Sequence, residues 1–198
     1  MKVEIYADVI CPWCYIGKRR VEAATTRTVT WRSFQLDPEA PATPGQTAAE
    51  MMSRWWGDQA SQRVQHIKAV GRQDSLELNL ELARPVNTFD AHRVLHLAKD
   101  HGRQDEAWEA MLRGYHTEGR DIADPDTLTD LATQAGLPRT EIQDLLTSDT
   151  HAQTVQADNA EARERGVTGV PSLVIGDGKP TSAVRPVADL RKLLTPPE

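Results

Sequence analysis

The sequence predicts an α/β fold whose strands lie near the two ends of the chain and whose middle is helical. Three observations carry that prediction. In residues 2–9, Val3, Ile5, Ala7 and Val9 fall on one face and Lys2, Glu4, Tyr6 and Asp8 on the other, the period-two pattern of a strand. That run passes straight into a segment opened by Pro12. From Thr47 to Arg165 apolar residues recur mainly at helical spacing, and from Val167 the texture returns to apolar, β-rich residues before a last helix. The expected order is β-α-β, a large helical block, then β-β-α.

The first strand ends where the chemistry begins. Cys11-Pro12-Trp13-Cys14 holds both cysteines of the chain. Proline suits a first helical turn, because its missing N–H costs nothing there and its φ already fits. Cys11 is then expected at or next to the N-cap, where unpaired backbone N–H groups and the helix dipole favour negative charge. Thiols so placed in C-x-x-C motifs have pKa values lowered from about 8.5 into the range ~3.5 to 7.5. Cys11 is therefore expected to be the reactive, solvent-facing sulfur, and Cys14, one turn on and pointing back toward the sheet, its more buried partner. A strand followed at once by C-x-x-C and a helix is a redox signal.

The helix continues through Ile16 to Ala24, and Thr28 to Leu36 reads as a second strand, parallel to the first through a right-handed crossover. Its alternation changes phase between Trp31 and Phe34, which implies a bulge or burial on both faces. Pro38 to Gly45 is a loop. Helical spacing then runs from Thr47 to about Val70, interrupted at Gly57, with the Trp55-Trp56 pair expected in the core. Gln73 to Arg84 is a connector. Asn87 to His101 is a helix with Ala91, Val94, Leu95 and Ala98 buried and with His92 and His96 on a solvated face. Ala107 to Tyr115 repeats the pattern. Asp124-Pro125 gives an N-cap and a first-turn proline for a helix that Gly136 terminates. Shorter helices follow over 139–147 and 150–165. Asp177-Gly178 marks a hairpin after Val170 to Gly176, Thr181 to Val184 supplies the return strand, and Pro186 opens a helix with Leu190, Leu193 and Leu194 inward, ahead of a Thr-Pro-Pro-Glu tail.

Composition narrows the class. Hydrophobic residues at 39% and charged residues at 26% exclude disordered and fibrous chains. A formal charge of −6 with Lys and Arg scattered argues against a nucleic-acid binder. No leader pattern and no apolar run of membrane length is present, so the expected setting is cytoplasmic, without membrane association. Two cysteines in one tetrapeptide supply no structural disulfide framework.

Cys11-Pro12-Trp13-Cys14 within Asp8 to Gly17, Pro-Val-Asn-Thr and Ala-His-Arg between 85 and 93, Glu-Gly-Arg-Asp-Ile at 118–122 and Gly-Val-Thr-Gly-Val-Pro at 166–171 together resemble the DsbA superfamily. The likeness is to its FrnE-like branch, related to 2-hydroxychromene-2-carboxylate isomerases and kappa-class glutathione transferases, and it covers nearly the whole chain. It implies a thioredoxin-like fold with a large helical insertion, divided as residues 1–46, an inserted helical domain at 47–165, and 166–198. It also implies a cis Val170–Pro171 bond beside the reactive cysteine, exposing the Val170 backbone to an incoming substrate. Read without the family, Pro171 is an ordinary trans proline at a strand's first residue. The chain departs from the family's pattern at Ser172-Leu173, where aromatic residues are common, and at Ser182-Ala183-Val184-Arg185.

The chemistry that fits is thiol-disulfide exchange through a mixed disulfide at Cys11, resolved by Cys14, with Pro12, Trp13, Val170 and Pro171 as support and substrate contacts. It needs no organic cofactor and no metal. Its partners are thiol or disulfide substrates, protein or small, acting on a monomer or a homodimer. The alternative is a glutathione-dependent isomerase or transferase of the two related types, whose members usually place serine at the Cys11 position. A zinc module built on Cys11, Cys14 and two histidines is disfavoured by spacing, since the nearest histidine is His66. Asn87, Thr88 and His92 resemble a family element near the active site, while helix capping is the default role of Asn87.

Overall fold

The computed structural model describes residues 2–195; Pro196 to Glu198 of the expected tail lie outside the described residues. Four strands, β1 (Val3–Ala7), β2 (Thr30–Ser33), β3 (Ser172–Ile175) and β4 (Thr181–Ser182), form one sheet in the order β2-β1-β3-β4. β1 is parallel to β2, with Glu4 opposite Thr30 and Ala7 opposite Ser33, and antiparallel to β3, with Val3 opposite Ile175 and Tyr6 opposite Ser172. The two ends of the chain therefore meet on β1.

A central strand is covered on both faces, and β1 is buried throughout. Val3, Ile5 and Ala7 join the main core, while Tyr6 packs with Ala162, Val167 and Val174 on the other side. The alternation in the sequence marks the two faces correctly, and both are interior. Glu4 is 1% exposed and holds its charge there only because Lys2 (2.9 Å), Arg32 (2.6 Å) and Arg165 (3.0 Å) surround it. β2 is shorter than the run 28–36, and no extra residue breaks its register with β1. Burial on both faces explains its pattern: Trp31 enters the main core and Phe34 packs on the Tyr6 side.

Helix α1 (Pro12–Ala24) follows β1. Between β2 and β3 lie α2 (Ala48–Trp56), a 3₁₀ turn (Gly57–Gln59), α3 (Ala60–Gln73), α4 (Phe89–Asp100), α5 (Gln104–His116), α6 (Pro125–Gln134), α7 (Arg139–Leu146) and α8 (Ala152–Glu164), and α9 (Val187–Leu194) closes the chain. Local chemistry sets several of these starts. Thr47 and Glu50 form a reciprocal capping box at α2, and Asp124 accepts from the Thr127 N–H at 2.8 Å ahead of Pro125. Gly57, at φ +52°, turns the chain between α2 and α3.

Three expectations are corrected. Trp55 and Trp56 are 63% and 39% exposed, not core residues. Their spacing from Met52 places them beside the buried face, but α2 ends at Trp56 and Gly57 turns the chain away there. His92 and His96 are buried instead of solvated, because α4 runs among α5, α6, α7 and α8 and is covered on every side from Ala91 to Ala98. In α9, Leu190 and Leu194 are buried one turn apart and Leu193, between them on the flank, is exposed.

Buried polar groups fasten the helical block to the sheet. Asp158 of α8 accepts from Arg32 Nη1 at 2.7 Å and the Ser33 N–H at 2.9 Å, and lies 3.1 Å from His96 Nε2. Its carboxyl is held below the usual carboxylate range: burial works against the charge, and His96, the Ser33 N–H and Arg32 outweigh it. Asp158→Ala strands those donors in the interior and is expected to lower stability by about 3 kcal/mol in urea unfolding; a loss under about 0.5 kcal/mol, the usual surface-substitution effect, would contradict this account.

Candidate active site

β1 delivers the chain to the site through a tight turn. The Cys11 N–H donates to the Asp8 carbonyl at 3.2 Å, and the Cys14 N–H to the Cys11 carbonyl at 2.9 Å. Cys11 has extended backbone angles and is the N-cap of α1, with Pro12 in the first turn. Both cysteines are free thiols. Cys14 is fully buried and Cys11 is 6% exposed, so the solvent-facing sulfur expected from the motif is instead nearly covered. The covering group is the Val170 carbonyl, 3.6 Å from Cys11 Sγ. Val170–Pro171 is a cis peptide.

Pairing of β1 with β3 brings residue 170 toward residue 11, and a glycine lets the approach close. A Cβ on Gly17 would lie 2.8 Å from Pro171 Cγ, a distance real side chains do not tolerate. Helix α1 therefore packs against the proline ring through bare backbone one turn after Cys14. Burial pushes the Cys14 thiol well above the ordinary range, and hydrogen bonding to the Cys11 sulfur pushes it further. Trp13 is half-buried, and its ring centre lies 6.0 Å from that of His66.

Behind the sulfurs sits a polar set of which the sequence marked only part. Asp8 is fully buried; its Oδ2 accepts from the Leu36 N–H at 2.7 Å, and its Oδ1 lies 3.2 Å from His92 Nε2. The ring of His116 directs Nε2 at the Val9 carbonyl, 2.8 Å away, and so donates from that atom. Burial lowers the pKa of His116 to about 4, against the opposing pull of the Val9 and Cys11 backbone and of Asp8. Asp8 had a signal, its position three residues before Cys11. His92 was visible only within the Ala-His-Arg likeness, and His116 gave none, because its partner lies on β1's exit loop. Asn87 is not the N-cap of α4, which is Thr88; one residue earlier its Oδ1 accepts from the Phe89 N–H at 2.9 Å and its Nδ2 donates to the Pro38 carbonyl at 2.8 Å, tying the start of α4 to the 38–45 loop. Among the described residues, no group of three or more His, Cys, Asp or Glu side chains comes together in a way that would hold a metal ion.

The model of the DSBA-like thioredoxin domain family matches residues 2–195. The chain belongs to this family. Its sheet with helices between β2 and β3 is the DsbA-like thioredoxin fold with a large helical insertion, as the resemblance implied. A solved structure of a probable DsbA oxidoreductase from Streptomyces coelicolor is 33% identical, with a TM-score of 0.91 over 100% of this chain and 93% of that one. The uncharacterized protein YwbO of Bacillus subtilis is 27% identical over 88% of this chain and 86% of its own length. The cytosolic disulfide reductase DsbM from Pseudomonas aeruginosa, solved with GSH, shares the fold at 17% identity, with a TM-score of 0.70 over 98% of this chain and 97% of that one. Among the described residues no helix is long and apolar enough to cross a membrane.

Two predictions test the family site as built. Gly17→Ala gains up to about 1 kcal/mol of helix propensity but overpacks the proline contact at a cost of roughly 1 to 3 kcal/mol. The melting temperature is expected to fall and thiol exchange to slow; a raised melting temperature with unchanged exchange would show the contact to be slack. For His116 the folded pKa lies below the unfolded one, so the unfolded chain binds more protons between about 4 and 6.5. Stability from this group is complete above pH 6.5 and lost as pH falls through 4, by about 3 kcal/mol in all. Urea midpoints for His116→Gln are expected to vary less over that window than those of the parent, and equal slopes would exclude the assignment.

Proposed function

We propose that the chain is a dithiol-disulfide oxidoreductase that exchanges a Cys11–Cys14 disulfide with thiol substrates through a mixed disulfide at Cys11. The observation that carries this reading is the pairing of an N-cap cysteine with a fully buried second thiol one turn later. Membership of the DSBA-like family supports it.

In the reductive direction the Cys11 thiolate attacks a substrate disulfide, one substrate sulfur leaves as a thiol, and a mixed disulfide forms. Cys14 then loses its proton and attacks Cys11 Sγ, the mixed disulfide breaks, and the second substrate thiol leaves. Two electrons pass to the substrate, and the protein is left oxidised. Run the other way, a substrate thiolate attacks Cys11 of the protein disulfide and Cys14 is the leaving group. The sulfurs alone carry the electrons, so the reaction uses no organic cofactor and no metal. Burial of Cys14 keeps it from competing for substrate, which gives the pair an order of attack. The Val170 carbonyl meets Cys11 Sγ, Pro171 follows it in the cis bond, and Pro12 and Trp13 separate the two cysteines, so these residues are assigned to support and substrate contact. A glutathione-dependent isomerase would leave Cys14 without a step. Both cysteines sit in one tetrapeptide, and the chain has no others to form structural disulfides, which supports the cytoplasmic setting.

The test is a pair of substitutions assayed with a disulfide substrate. Cys11→Ser is expected to lose exchange entirely. Cys14→Ser is expected to lose turnover while accumulating a mixed disulfide at Cys11, visible as a mass increase that a dithiol removes. Full turnover by Cys14→Ser would end the dithiol reading in favour of a single-thiol reaction.

A further inference from the structure

Beside the redox motif lies a groove of about 360 Å³ between α1 and the α2–α3 pair. Trp13, two residues from Cys11, lines it on one side and Trp56 on the other, over the buried side chains of Met52 and Ile67. The size is that of a small-ligand pocket. Its aromatic lining accounts for a tryptophan left in solvent at the end of α2. Arg63 lines the groove with its guanidinium carbon 4.8 Å from the centre of the Trp56 ring. Among the described residues Arg63 makes no ion pair, and no lining side chain is acidic. In a chain of net charge −6, this is a cation held by an aromatic face with its donors unspent.

We infer that this groove is the substrate-recognition subsite and that it selects small peptide-like disulfides carrying a free carboxylate. The carboxylate meets Arg63, the adjoining apolar stretch lies between Trp13 and Trp56, and the sulfur reaches Cys11 past Trp13. A planar guanidinium stacked on an aromatic ring suits this task, since its remaining edge presents donors in carboxylate geometry. The subsite rests on the oxidoreductase reading above and adds to it a preference in substrate charge.

Fully reduced protein is mixed with glutathione disulfide, neutral hydroxyethyl disulfide or cationic cystamine, and the first-turnover rate is divided by that of a free small thiol with the same disulfide. The normalised rates are expected to fall in the order anionic, neutral, cationic. In Arg63→Gln the anionic-to-neutral ratio is expected to drop roughly two- to fivefold, the range of an exposed ion pair, and in the parent it is expected to drop with added salt. Arg63 is exposed, so its replacement leaves the fold intact. Arg72→Gln, an exposed arginine further along α3, is expected to keep the parent ratio. Equal normalised rates, or a ratio indifferent to Arg63→Gln, would overturn the subsite and leave the exchange reaction standing. Exchange with none of the three would remove both.

Discussion

The site depends on one close approach, that of Gly17 to the ring of Pro171. Helix α1 leaves β1 at one end of the chain, and the Val170–Pro171 turn precedes β3 near the other. Pairing of β1 with β3 brings the two segments to the same end of the central strands, and the missing Cβ lets them touch. Everything chemical follows from that contact. Cys11 Sγ meets the Val170 carbonyl at the N-terminal turn of α1. A side chain at residue 17 would hold the helix off the proline ring and loosen the wall facing Cys11.

The interior is unusually directional for a core. Asp8 bonds the Leu36 amide and faces His92, His116 bonds the Val9 carbonyl, and Asp158 joins α8 to β2 and to His96. The first two links end on the loop that carries Cys11, and the third ties the helical insertion to β2 beside it. On the outer side of α1, Tyr15 donates to Glu109 Oε1 at 2.7 Å and Lys18 pairs with Asp105 at 3.0 Å, which ties the same helix to α5. Burying so many polar groups costs desolvation, which apolar packing would avoid. Their directionality fixes how the insertion sits on the sheet, and therefore how the loop from Asp8 to Cys11 is held.

The errors in reading the sequence share one cause. Periodicity assigns a residue to a side of a helix, and says nothing of what stands opposite that side. His92 and His96 lie off the apolar stripe of α4, which in a surface helix means solvent; α4 is central, so the same positions reach Asp8 and Ser33. Trp55 and Trp56 lie beside Met52, which in a long helix means core; α2 ends there, so they overhang. Cys11 followed the same rule, its exposure decided by a carbonyl from residue 170.

The sequence by itself determined the elements and the motif, because the forces that set them are local. A proline after Cys11 starts α1, a threonine and a glutamate three apart start α2, an aspartate before a proline starts α6, and alternation marks β1. Tertiary structure alone decided which polar groups lie near the sulfurs, which aromatic residues stay in solvent and how open Cys11 is. Those properties depend on neighbours far along the chain. Burial and hydrogen bonding are paid out by whatever arrives from elsewhere, and no window of sequence contains both partners.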